Sequence, residues 1–255
     1  MRTQNKTFLR WITVLLICAL CFGTACSWGG SEEPTPTATP TPKPTATLLP
    51  TSAVKVGDIM TFGSYEQDND TNNGKETIQW RVLEVQDGKV LLISEKALDC
   101  QQYNKSYTSV TWETCTLRQW LNGTFLNNAF SADEQAKIVT THVSADKNPE
   151  FGTYPDNATN DKVFLLSITE VEKYFTANVS RRCAPTTYAE TQGAWTSSYD
   201  QTASGEAACF WWLRSPGDGQ GRAASVNYGG SVDVSGHFVI SDYDCVRPAM
   251  WVTLD

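Results

Sequence analysis

Residues 78–93 read IQWRVLEVQDGKVLLI. Ile78, Trp80 and Val82 alternate with polar neighbours, Val85 extends the run, and Val90-Leu91-Leu92-Ile93 follows after Asp87-Gly88. Alternation with period two marks a strand with one face buried. Asp-Gly between two such runs marks a tight hairpin, because the two-residue turn that matches strand twist needs positive φ at both positions. The stretch therefore predicts two antiparallel strands. Upstream, Val56-Gly57-Asp58 and Phe62-Gly63 frame a further short strand at Ile59 to Phe62, followed by a polar loop from Asp68 to Lys75.

Downstream the period changes. Thr116-x-x-Gln119 has the form of a capping box and predicts a helix with Leu117, Trp120 and Leu121 on one face, ended by Gly123. Ser131-x-x-Glu134 predicts a second helix running through Ile138, and Ser167-x-x-Glu170 a third carrying Ile168, Val171 and Phe175. Lys162 to Leu166 reads as a strand between them. From Trp195 onward Gly, Ser, Asn and Asp dominate, with short strands expected at Ser225 to Tyr228, Ser231 to Val234 and Phe238 to Ser241. The run Val246 to Leu254 alternates like a strand, and Pro248 places it at an edge or a bulge. Strands, then helices, then strands indicate an α+β domain with two or three helices rather than a parallel α/β fold.

The N-terminus has another character. Arg2, Lys6 and Arg10 precede an apolar run from Trp11 to Phe22, then Gly23-Thr24-Ala25 and Cys26. The run is short for a membrane span, which takes about 20 residues, and suits the core of an export signal. Residues 1–25 are read as that signal. The small residues before Cys26 resemble a lipobox, with Gly23 where Leu is usual. The resemblance implies a lipid on Cys26 and anchorage at the extracellular face of the cell membrane, while the plainer reading is an ordinary cleaved signal. Residues 26–53 include PTPTATPTPKPTATLLPTS, a composition that cannot build a core and favours an extended tether. Residues 54–255 are left as the globular domain. That domain carries 16 Lys and Arg against 26 Asp and Glu, in a chain of net charge −8, which disfavours nucleic acid as a partner.

Seven segments in order carry a resemblance: Ile78-x-Trp80-Arg81-Val82-Leu83, Leu91-Leu92-Ile93-Ser94, Leu98-Asp99-Cys100, Leu117-Arg118-x-Trp120-Leu121-Asn122, Val163-Phe164-Leu165-Leu166-Ser167, Trp211-Trp212-Leu213-Arg214-Ser215-Pro216-Gly217 and Val246-Arg247-Pro248-Ala249. The chain resembles the bacterial extracellular family called domain of unknown function 6273, which in turn looks like a divergent C-type-lectin-like fold. The resemblance implies that the first and last strands pair, that helices flank them, and that the irregular C-terminal part forms the binding face. The mix of Asn, Tyr, Ser, Asp, His, Phe and Ile between Asn227 and Asp244 is similar to the variable tails of retroelement-diversified proteins; it also suits a plain turn region.

Catalytic and metal signatures are sparse. His142 and His237 sit in no metal motif; the Cys-x-x-Cys of Cys18 and Cys21 lies inside the apolar run of the export signal, and beyond it there is no Cys-x-x-Cys, nucleophile elbow, phosphate loop or dinucleotide fingerprint. The run Asp68 to Asn72 lacks the glycine and terminal glutamate of a calcium loop and reads as solvated, so no cofactor or metal is assigned. Cys100, Cys115, Cys183, Cys209 and Cys245 are odd in number, which outside the cell leaves at least one thiol unpaired. Of Trp211 and Trp212 at least one is expected in the core, and Arg214 and Arg247 are each expected to pair with a buried acid. The resulting expectation is a displayed, non-catalytic domain that binds an extracellular protein or glycan through Asn227, Tyr228, Asp233, His237, Phe238, Asp242, Tyr243 and Asp244. Their blend of rings and short polar groups is that of antibody paratopes. The alternative is an enzyme of the formylglycine-generating kind, which would need two close thiols, or a thiol beside a base, in a pocket.

Overall fold

The computed structural model describes residues 54–254. The segments read as export signal and tether, with Cys26 between them, lie outside the described residues. In chain order the strands and helices are β1 (Ile59–Tyr65), β2 (Glu76–Gln86), β3 (Lys89–Ser94), β4 (Asp99–Cys100), α1 (Thr116–Trp120), a π-helical turn (Leu121–Phe125), α2 (Leu126–Ala129) and α3 (Ala132–Lys137). There follow β5 (Thr141–Val143), β6 (Thr159–Asp161), α4 (Ile168–Tyr174), α5 (Asn178–Arg181), α6 (Thr187–Thr191), β7 (Thr196–Gln201) and β8 (Ala207–Cys209). The last are β9 (Trp211–Pro216), β10 (Arg222–Val226), β11 (Val232–Phe238), β12 (Cys245–Val246) and β13 (Ala249–Thr253). The class is α+β.

The hairpin forms as the sequence predicts. Asp87 and Gly88 hold φ of 48° and 72°, and Gln86 pairs with Lys89 across the turn. The slip from Val82 to Val85 also has its cause: between Val82↔Leu92 and Glu84↔Leu91 the register shifts by one, so Val82 and Leu83 are both buried. A bulge of this kind inserts one unpaired residue and reverses the facing of those beyond it.

Several sequence expectations need correcting. The first strand does not pair with the last. The first sheet runs β1-β2-β3-β13, with β13 on β3 from Ala249↔Ile93 to Thr253↔Lys89, so β1 and β13 are its opposite edges. The hairpin uses one edge of β3 and leaves the other, lined by buried Val90 to Ile93, for the apolar C-terminal run. Second, the first long helix is capped by Cys115, whose Sγ accepts from the Arg118 amide at 3.4 Å, while Thr116 Oγ1 accepts from the Lys105 amide. Gly123 does not end that helix. The π-helical turn carries it on to Ala129, because Leu121, Phe125, Leu126 and Ala129 are all buried and tertiary packing outweighs the weak propensity of one glycine. Third, Lys162 to Leu166 is core without being a strand: Val163 to Leu166 are buried, and only Phe164 forms a bridge, to Ala249. The caps of α3 and α4 are as expected, with Ser131–Glu134 and Ser167–Glu170 each bonded both ways.

The second sheet runs β11-β10-β9-β12-β4, parallel only between β12 and β9. Every residue of β9 is buried, so both Trp211 and Trp212 belong to the core. Their indole N–H groups donate to Arg181 O at 3.1 Å and Gln101 O at 2.9 Å, which meets the need of a buried donor. The expected strand at Phe238 to Ser241 is instead a turn, closed by the Ser241 amide on Phe238 O. Among the described residues no helix is long and apolar enough to cross a membrane.

Candidate functional site

Phe210 sits at the break between β8 and β9, beside two buried tryptophans. Its ring centroid lies 5.5 Å from Trp195, 5.1 Å from Tyr228, 5.0 Å from His237 and 5.8 Å from Tyr243. These rings come from the start of β7, the β10–β11 turn, β11 and the approach to β12. Trp195 is 45% exposed and Tyr243 38%, so the cluster has a wet outer side. Edge and tilted contacts at such distances hold the rings rigid. The Trp195 amide donates to Tyr243 O at 3.3 Å, which ties the two outermost members together.

Beneath the rings is a polar unit. His237 Nδ1 lies 2.8 and 2.9 Å from the two oxygens of Asp244, and Ser241 Oγ donates to Asp244 Oδ2 at 2.7 Å. The other ring nitrogen faces Asp233 at 3.7 Å. A carboxylate only accepts, so Nδ1 carries the hydrogen. Burial alone would push the His237 pKa down; the bond to Asp244 and the charges of Asp244 and Asp233 reverse the sign and raise it. Burial in turn raises the Asp244 carboxyl.

Of the eight residues expected on one binding face, the structure gathers Tyr228, His237 and Tyr243 around Phe210, with Asp233 and Asp244 holding His237. Asp244 has no solvent exposure, so it supports the face and does not touch a partner. Phe238 points to the other side of β11, under the Arg222 guanidinium at 4.1 Å and against Tyr107 at 5.5 Å, as alternation along a strand requires. Asn227 is spent on its turn, where Oδ1 accepts from the Ser231 amide at 3.1 Å. Asp242 is exposed at the rim. Sequence reasoning missed Trp195 and Phe210. Phe210 stands directly before the Trp pair, and the fact that three consecutive rings cannot all face one way was the available signal.

The hydroxyls of Ser241 and Ser235 are taken up by Asp244 and Asp233, so neither is held against His237 as a nucleophile. The five cysteines among the described residues are free and buried, at most 5% exposed. They do lie close: the Cys209 amide donates to Cys183 O at 2.9 Å, and Cys245 stands opposite Cys100 in the β12–β4 ladder. Burial raises the Cys183 and Cys245 thiols and pushes Cys115 up to about 12, whereas at Cys209 burial is outweighed by the Cys183 and Cys245 thiols bonded to it and by the Arg247 charge, which lower it to about 5. Elsewhere, Glu66, Asp68 and Glu76 bring carboxylate oxygens within 4.8 Å of one another, but Asp68 and Glu76 accept from the loop's own backbone amides.

The family model described as Domain of unknown function (DUF6273) matches residues 87–254, and the chain belongs to that family. The match begins at the hairpin turn, so β1 and β2 precede it while completing its first sheet. No curated protein and no solved structure matches the chain.

Proposed function

We propose that this member of the DUF6273 family is a surface-displayed lipoprotein whose domain binds an extracellular protein or glycan without transforming it. In this reading residues 1–25 direct export, Cys26 carries the lipid, and residues 26–53 hold the domain away from the bilayer. The observation that carries the binding role is the Phe210 cluster: a rigid, half-exposed set of rings backed by an imidazole whose orientation Asp244 fixes. Rigid aromatic area at low entropic cost is what recognition surfaces use. A C-type-lectin-like layout is part of the proposal. In its favour, the first and last strands share one antiparallel sheet, with short strands and long turns in the C-terminal half.

Diversification of the face fits only at its outer positions, since Asp244 and the turn-building Asn227 are structural. The enzyme alternative needs a thiol that meets substrate, and the burial of all five described cysteines argues for binding instead.

The test has two arms. Cys26→Ala should move the protein from the membrane fraction to the medium or stall its processing; unchanged partitioning removes the lipid anchor from the reading. A glycan array and a panel of extracellular proteins should give a ligand whose binding to the Trp195→Ala/Tyr243→Ala double variant falls at least tenfold while melting stays nearly unchanged. A ligand indifferent to both substitutions places recognition elsewhere.

A further inference from the structure

Away from the Phe210 cluster, a cleft of about 730 Å3 opens between β2, the segment after β3, α5 and the β7–β8 turn. It shares no residue with the aromatic face. A volume of this size suits one small organic molecule. Val56 and Val179 line it and are 66% and 51% exposed, which gives the cleft apolar surface open to solvent.

Arg247 lines the same cleft and is 3% exposed. Its Nε donates to Ser94 O at 3.0 Å, and its guanidinium carbon lies 5.4 Å from the Phe175 ring and 5.1 Å from the Trp211 ring. Nη1 is buried and has no hydrogen-bond partner. Among the described residues Arg247 forms no ion pair, which overturns the expectation that it meets a buried acid. Arg214, equally buried, is clasped by Glu170. The other cations of the cleft are also matched: Arg81 with Glu95, Lys96 with Glu206, Arg182 with Asp200. Arg247 is therefore the cation of the cleft without a carboxylate partner, its charge acting on the buried Cys183 and Cys209 thiols nearby. A desolvated cation without a counter-charge is costly, and ring faces compensate only part of that cost.

We propose that this cleft is a binding site for a small carboxylic acid with an apolar body, its carboxylate on Arg247 and its body against Val56 and Val179. The guanidinium is built for planar anions and is already oriented by Ser94 and the two rings. One unmatched positive charge calls for one negative charge.

Calorimetric titration of the full-length chain with benzoate, benzamide and phenyl phosphate tests this. Benzoate should bind saturably, the neutral isostere benzamide at least tenfold more weakly, and phenyl phosphate no better than benzoate. Arg247→Lys should weaken benzoate at least tenfold. Val179→Glu, an exposed change in the cleft wall that leaves the core intact, should also weaken it and decides the matter should the Arg247 variant not fold. Absence of saturable benzoate binding, equal binding of benzamide, or wild-type affinity in Val179→Glu would overturn the site. Tighter binding of phenyl phosphate would overturn the assignment to carboxylates.

Discussion

His237 Nδ1 lies 2.8 Å from Asp244 Oδ1, and Asp244 has no contact with solvent. The pair joins β11 to the segment entering β12, so its protonation state is coupled to the packing of two strands. The His237 pKa is raised: burial opposes the charge, but the hydrogen bond to Asp244 and the charges of Asp244 and Asp233 outweigh it. A histidine raised on folding contributes stability that is complete below its unfolded value of about 6.5 and is lost as pH rises through the higher folded value. Stability of the wild type should therefore decline relative to His237→Gln as pH is taken upward from about 6.5. Denaturant unfolding at fixed ionic strength measures this. Parallel curves for the two proteins would mean that His237 takes up no proton on folding.

Glu170 does two jobs. Its carboxylate clasps both Nη atoms of Arg214, which is 3% exposed, and it accepts the Ser167 amide at 2.9 Å as the return half of the α4 capping box. Glu170→Gln keeps an acceptor for the cap and removes the charge. The buried guanidinium then loses its counter-ion, which should cost roughly 3 kcal/mol, at the lower end for a broken buried pair because Glu170 is itself 30% exposed. A urea midpoint within error of wild type would show that Leu165 O and Ser144 O alone satisfy Arg214.

Gly236 breaks β11 at φ 73°, and a Cβ there would sit 2.2 Å from Ala223 O on the paired strand. Neither backbone can yield without parting the β10–β11 ladder, which already shifts register between Ala223 and Ser225. Gly236→Ala should cost about 2 kcal/mol or more, from left-handed strain plus the clash. It should also displace His237 and weaken any ligand of the Phe210 face. A thermal melt matching wild type would show that the ladder relaxes freely at this point.

The hairpin was legible because a single physical rule, the two-residue alternation broken by Asp-Gly, acts within sixteen adjacent residues. The serine caps were legible for the same reason, since Ser131 and Ser167 need only a glutamate three residues on. What lay beyond reach depends on distant partners. Gly123 reads as a stop until Phe125 is known to be buried against Tyr65 and Phe130. Phe238 and His237 look like one surface until the strand that carries them is placed. Arg214 and Arg247 look alike in sequence, and only the fold gives one a carboxylate and leaves the other without.

The last strand is the strongest case of such dependence. β13 covers the outer edge of β3 over five residue pairs, exchanges both backbone bonds with Phe164, and receives the Val139 amide on Trp251 O. Ala249, Met250 and Val252 are fully buried. Removing residues 249–255 takes those side chains from the core, bares the edge of β3 beside Val90 to Ile93, and orphans the amides of Val139 and Phe164. At about 1.5–3 kcal/mol for each large apolar side chain lost or exposed, the deficit is on the order of 10 kcal/mol. A domain of this kind is stable by only about 5–15 kcal/mol. The truncated chain should therefore show no cooperative melt. Circular dichroism with a thermal ramp decides it. A native-like transition would mean that β13 is a late addition to a core that stands without it.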